Sequence, residues 1–341
     1  MKKRYDGLLG LRGIGALGII AYHVYVLSGF MGIHPLFDRT VGNGGVFVQL
    51  FFMLSGFSIM CGYYDEFSNN PQLDKFYIGR IKKLVPIFWL ALLAHCIIDH
   101  FVGTPISKYN VIGTASLMFG FMPKYQESVV MAGWALGIEI IFYLVFPAFF
   151  VFNKNKKRSW VFLLFSIVMF VTYENFYGIG VNQSYINIIR QLVFFAVGAL
   201  LFHYTDKLDE MSQSKRKMLF ALCIAIEVAC FFLYGKVNGY IVMVVAFLAV
   251  MINQINFKDY VVNNIVFIWL GKISYPMYLF HMVVYKALYN LNVFTKINQR
   301  VQGLRAYLVQ YAVVVLVTVV ISFIINCICV KLPKTISKRE S

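Results

Sequence analysis

Ten long apolar runs, separated by short polar ones, organise the whole 341-residue chain. They lie at about 8–30, 45–63, 84–102, 129–152, 160–176, 185–204, 217–235, 240–256, 265–292 and 306–330. Even the shortest, at 17 residues, approaches the length a helix rising ~1.5 Å per residue needs to cross roughly 30 Å of hydrocarbon. The pattern predicts an all-α, polytopic transmembrane bundle of about ten spans. The intervening polar stretches are short, the longest being 64–83 and 103–128, so a single membrane domain is expected over 1–341. Within the second stretch, VIGTASLMFGFM (111–122) is too short to span and reads as a re-entrant or interfacial piece. Chemistry in such a chain has to lie among the helices, in a wet cavity, because irregular backbone is not tolerated against lipid.

Composition agrees with this picture. The chain is 60% hydrophobic and 13% charged with a mean hydropathy of +0.71, against about 25% charged residues in an ordinary soluble domain. The net charge of +16 would suit nucleic acid, but its distribution gives it another meaning. With the N-terminus placed in the cytoplasm, the inner segments hold 20 Lys and Arg and the outer ones 7, a positive-inside signature that puts both termini in the cytoplasm. Nothing calls for a nucleic-acid partner. No small-x-small cleavage site follows the first span, so it is read as a span and not as a signal peptide. The six cysteines fall in or beside spans without C-x-x-C spacing, which excludes a disulfide framework or a zinc ribbon.

Several polar residues inside the spans are candidates for function. The first span contains RGIGALGIIAYH (12–23). Its G-x-G-x-x-G spelling lacks the preceding strand of a dinucleotide site, and glycines in a span serve close helix packing. Arg12 and His23 are eleven residues apart, about three turns, hence on one face and ~16 Å apart along the axis. Arg12 can snorkel to lipid phosphates or act. His23 has no such escape, and a neutral imidazole can take a proton from a hydroxyl. In GWALGIEIIFYLVFP (133–147), Glu139 reaches a depth matching His23, with Tyr143 one turn on. A carboxylate there could orient the imidazole or form a structural interhelical bond. KFYIGRIKKLVP (75–86) sets Lys75, Arg80, Lys82 and Lys83 at the inner rim, an anchor for acidic headgroups or a grip for phosphate. In GKISYPMYLFH (271–281), Ser274, Tyr278 and His281 share a helical face, and Pro276 is expected to kink the helix there. His95, Asp99 and His100 have a spacing that could hold metal, but a solvated helix end is the expectation.

In this order the segments resemble acyltransferase family 3, the integral-membrane O-acyltransferases of bacterial cell-envelope glycans. Arg12-x10-His23 resembles the family's R-x10-H, VFVQLFFMLSGFSI (46–59) its F-F-x-L-S-G-F, and Arg80-Ile-Lys-Lys83 its R-x-x-R with lysine in the second place. Trp134 through Tyr143 resembles W-S-L-x-x-E-x-x-F-Y with Ala135 for serine, and ISYPMYLFH (273–281) the late I-S-Y-x-x-Y-L-x-H. The resemblance implies that His23 is catalytic with Glu139 nearby; His23 would take the proton of the attacking hydroxyl or first accept the acyl group itself. It also implies that Arg80, Lys82 and Lys83 hold the phosphates of acetyl-CoA, or another acyl-CoA, as donor substrate, with no metal. Arg12, Tyr143, Trp134, Ser274, Tyr278 and His281 would line the donor and substrate path. The expected acceptor is a hydroxyl of a lipid-linked or polymeric glycan at a bacterial cytoplasmic membrane. Some members of the family carry a fused extracytoplasmic esterase-like domain; none is expected in 1–341, so the acyl group would pass directly to the glycan or to a separate extracytoplasmic transferase. A proton-coupled transporter of a small solute or glycan precursor is the rival, since intramembrane His, Glu and Arg would serve it equally.

Overall fold

A computed structural model describes residues 5–121, 128–177, 186–236, 238–257 and 261–331. Among them the chain is helical throughout, without a strand. The principal helices are α1 (Asp6–Leu27), α2 (Phe47–Asn69), α3 (Leu73–Val102), α4 (Lys108–Ala115), α5 (Trp134–Phe152), α6 (Lys156–Tyr177) and α7 (Ile188–Phe202). They continue with α8 (Gln213–Leu233), α9 (Gly239–Asn256), α10 (Ile265–Lys272), α11 (Ser274–Asn290) and α12 (Gly303–Asn326).

Among the described residues, seven stretches of helix are long and apolar enough to cross a membrane, those built on α1, α2, α3, α5, α6, α9 and α12. The chain is thus a multi-pass membrane protein. The three other expected spans differ for separate physical reasons. At 15 residues, α7 covers only ~22 Å. Lys215, Arg216, Lys217 and Glu227 interrupt the apolar character of α8. The run 265–292 is two helices, α10 and α11, divided at Ile273, whose φ of −107° and ψ of 9° are not helical. Pro276 therefore does not kink a long helix as expected. It sits in the first turn of α11, where a missing N–H removes no intrahelical bond. The stretch expected to be re-entrant begins within α4 and continues through Leu117, at a φ of 63°, to a 3-10 turn at Phe119–Phe121.

The chain forms two compact units, the first of 1–12, 48–72 and 142–271, the second of 13–47, 73–141 and 272–341. In the first, α6 packs along α7 and α8 along α9. Its core is aromatic, with Phe142 stacked on Phe195 at 4.0 Å between ring centroids. Gly56, the glycine of the LSGF segment on α2, faces α7 so closely that a Cβ there would lie 2.2 Å from the Phe195 carbonyl oxygen. That is why the motif needs glycine: small residues let helix backbones approach where lipid supplies no hydrophobic drive. An ion pair crosses this unit, Arg190 Nε to Glu174 at 2.6 Å, with the guanidinium 4.5 Å from the Tyr240 ring centroid.

In the second unit, side-chain bonds fix the helix directions. His23 meets His281 and Ser28 meets Tyr285, so α1 and α11 run the same way. Tyr275 donates to the Leu84 carbonyl and Lys286 to Asp99, which makes α3 parallel to both. Tyr307 and Tyr311 of α12 donate to the carbonyls of Ala21 and Leu17, so α12 is antiparallel to α1. The expected packing glycine is found here as well. A Cβ on Gly18 would lie 2.4 Å from the Phe47 ring.

Candidate active site

The second unit brings together two histidines that are 258 residues apart in sequence. His23 projects from the C-terminal half of α1 and is half-buried; His281 projects from the middle of α11 and is 1% exposed. His281 Nε2 lies 3.1 Å from His23 Nδ1. Two carbonyls decide where the ring protons are. His281 Nδ1 is 2.7 Å from the Tyr278 carbonyl oxygen, which can only accept, so this nitrogen carries the hydrogen. A neutral His281 then offers a lone pair at Nε2. His23 Nδ1 faces that lone pair and, at 3.0 Å, the Ile19 carbonyl oxygen, so it must carry a hydrogen shared between two acceptors. The unprotonated nitrogen of His23 is Nε2. A fixed tautomer with a free Nε2 lone pair, on a side chain that is only half-buried, is what a general base requires.

The supporting groups follow from local structure. The Tyr278 hydroxyl donates to the Ala132 carbonyl at 2.5 Å. Ala132 has a φ of 63°, a left-handed conformation that costs an L-residue about 1–2 kcal/mol and needs such an external hold. This bond ties α11 to the turn that begins α5, which carries Trp134 and Glu139, both half-buried. Glu139 is not hydrogen-bonded to His23, whose ring is oriented by Ile19 and His281 in the place where the sequence reading expected a carboxylate. Ser274 begins α11 and is buried. Arg80 is half-buried and 5.6 Å from the Phe76 ring centroid, whereas Lys82 and Lys83 are exposed on α3. Tyr275, bonded at the level of Leu84, is six residues before His281, so the basic end of α3 and the histidine pair are separated by ~9 Å along the axis. Arg12, half-buried, and Tyr143, buried, belong to the first unit.

One group was misread from the sequence. The helix end at His95 and Asp99 is not solvated: they are 0% and 5% exposed, and Lys286 of α11 reaches Asp99 at 2.7 Å. Among the described residues no three His, Cys, Asp or Glu side chains converge as metal ligands.

Comparison with known proteins agrees with the sequence motifs. Residues 5–327 match the family model described as "Acyltransferase domain". The "Peptidoglycan O-acetyltransferase OatA" of Listeria monocytogenes is 25% identical over 82% of this chain and 49% of its own length. A Staphylococcus aureus (strain COL) protein named "Putative O-acetyltransferase" is 24% identical over 83% of this chain and 51% of its own. The chain thus spans about half the length of these curated relatives. No solved structure matches it. With a family match that covers nearly all of its spans and each of its motifs, the chain belongs to acyltransferase family 3.

Proposed function

We propose that this protein O-acetylates a cell-envelope glycan, taking the acetyl group from acetyl-CoA on the cytoplasmic side of a bacterial membrane. The observation that carries the reading is the His23–His281 pair, because its hydrogen bonds leave His23 Nε2 as a base within a helical bundle. As the acceptor oxygen forms its bond to the thioester carbonyl, its proton moves to His23 Nε2. The C–S bond then breaks and the departing thiolate takes the proton back. While His23 is cationic, its Nδ1–H bonds to Ile19 and His281 become charge-assisted and stronger. The transition state is thus favoured over the ground state, as catalysis requires.

Donor binding is assigned to Arg80, Lys82 and Lys83, which lie at the same end of the parallel helices as the N-terminus of α3. Lysine at 83 keeps the positive charge but forgoes the bidentate fork that arginine offers phosphate. Arg12 keeps the donor-side role that its motif implies, and Glu139, Trp134, Tyr143 and Ser274 stay as substrate-path residues. Relatives named for peptidoglycan O-acetylation support an amino-sugar polymer as acceptor.

The test uses the full chain in nanodiscs with acetyl-CoA radiolabelled in its acetyl group and an N-acetylglucosamine tetrasaccharide as acceptor. Wild type is expected to consume the thioester, and His23→Ala at equal insertion to lose about 10²–10⁴-fold in rate, the usual worth of a positioned base. Equal rates in the two proteins would remove His23 from the reaction. Absence of acetyl-CoA binding and turnover in wild type would bring the transporter forward.

A further inference from the structure

The mechanism above uses the His23–His281 pair and leaves unexplained a second polar constellation in the same unit, at the far end of α3. A cavity of about 610 Å³ opens there, lined by Cys96, Asp99, His100, Thr104 and the turn Pro105–Ile106. Its walls come from the last turn of α3 and the segment leading into α4. The Asp99 carboxylate spends one oxygen on Lys286 at 2.7 Å; the other accepts from no protein donor. The exposed Thr104 hydroxyl is bonded to no protein group, and His100 is exposed beside it. On the same stretch of chain, Phe101 is 83% exposed and edge-on to His100, and Tyr109 is 65% exposed with the Lys108 ammonium 5.4 Å from its ring centroid.

The second observation is His95. It lies one turn deeper on the same face as Asp99 and is fully buried, yet neither ring nitrogen is bonded to a protein group. Buried polar atoms are nearly always satisfied, and those that are not call for a reason. An imidazole with one donor and one acceptor unspent is complementary to a hydroxyl, which has one of each. His95 is on α3, four residues before Asp99, and His281 is on α11, five residues before Asp99's partner Lys286. Because the helices are parallel, both imidazoles are ~6–7.5 Å below the ion pair, at one level.

We propose that this cavity is the acceptor site: it takes one or two residues of a polyhydroxylated sugar, held by Asp99, His100 and Thr104, with His95 hydrogen-bonding the hydroxyl that enters deepest toward the histidine pair. The proposal rests on the acyltransferase reading and names its acceptor subsite. Carboxylate, hydroxyl and imidazole groups beside exposed aromatic rings suit the alternating hydroxyl edges and C–H faces of a sugar. They offer no such match to a seryl hydroxyl on a protein. The donor end, at Arg80 and Lys83, and the acceptor end, at Asp99, are then opposite ends of the same three parallel helices. His281 stands between them.

Cys96 lines the cavity and is a free thiol, which allows a test that does not need turnover. The full chain in nanodiscs is alkylated with iodoacetamide, with and without an N-acetylglucosamine tetrasaccharide, and the Cys96 and Cys61 peptides are followed by mass spectrometry. The sugar is expected to slow Cys96 alkylation at least fivefold while leaving Cys61, in the other unit, unchanged. Thr104→Trp, at an exposed position, is expected to abolish the protection and to raise the KM for the sugar at least tenfold. Absence of Cys96 protection at sugar concentrations that support acetylation would overturn the site. Protection by a serine peptide and not by the sugar would overturn the sugar as occupant. If wild type consumes no acetyl-CoA, the acyltransferase reading fails by itself, and the alkylation result still decides what the cavity binds.

Discussion

The two units each contain a cavity of nearly the same size and an ion pair among helices, and the two cavities are chemically opposite. In the first unit an open groove of about 670 Å³ is lined by Leu163, Phe170, Val197, Tyr240, Val244 and their apolar neighbours. In the second, about 610 Å³ is lined by Asp99, His100, Thr104 and Cys96. The ion pairs differ in the same sense. Arg190–Glu174 lies against the face of Tyr240 and joins α6 to α7. Asp99–Lys286 borders the polar cavity and keeps a carboxylate oxygen unspent. Both pairs join two helices, but the first faces an aromatic ring whereas the second borders a polar cavity. A charge inside a membrane protein is a functional candidate by default, and this contrast shows that the surroundings decide the role.

The contrast breaks most visibly through stability. Arg190→Leu leaves Glu174 without its guanidinium and is expected to cost about 3–5 kcal/mol, as loss of one partner of a buried pair does. Thermal unfolding in detergent should show it, with the activity of the surviving folded fraction unchanged. The double variant with Glu174→Leu should recover most of the loss; a double variant no more stable than the single one would argue against a purely structural pair. Next in size, His281→Asn removes the acceptor for His23 Nδ1–H. A hydrogen bond to a charged group contributes ~1.5–3 kcal/mol, so kcat should fall about 10- to 150-fold, with the KM for acetyl-CoA and the unfolding temperature close to wild type. An unchanged kcat would reduce His281 to packing. Gly56→Ala forces the new methyl against the Phe195 carbonyl and should cost ~1–3 kcal/mol of stability, in the range of overpacked cores. The smallest effect belongs to Pro276→Ala, expected within about ±0.5 kcal/mol because the first turn of α11 loses nothing. A loss of several kcal/mol there would mean that the break at Ile273 depends on the proline.

How much of this was legible in the sequence depends on the range of the interaction that decides each feature. Helix content followed from run length alone, and the packing role of Gly18 follows from small residues in an apolar segment, whereas the close approach at Gly56 is seen only in the structure. His23 stood out because an imidazole in a span has no local escape. Its partner did not. His281 was legible as a polar member of a helical face, but its bond to His23 is a tertiary fact that periodicity does not encode. The same holds for His95 and Asp99, which look like a wet helix end until Lys286, 187 residues later, covers them. The run 265–292 was misread because hydropathy is blind to a single non-helical residue such as Ile273. Glu139 was expected at the depth of His23, yet depth on one helix does not fix the azimuth of a side chain toward another.

The long separation between His23 and His281 also bears on biogenesis. At translation rates of about 5–20 residues per second, the 258 residues between them take roughly 13–50 s to synthesise. For that interval α1 is in the membrane with an imidazole whose tautomer nothing but Ile19 selects. On the proposed mechanism, His23 therefore has only half of its Nδ1–H support until α11 has been inserted, and a chain truncated before residue 274 is expected to be no more active than His281→Asn. Placing the two halves of the proposed proton-accepting centre 258 residues apart ties full activity to the insertion of α11.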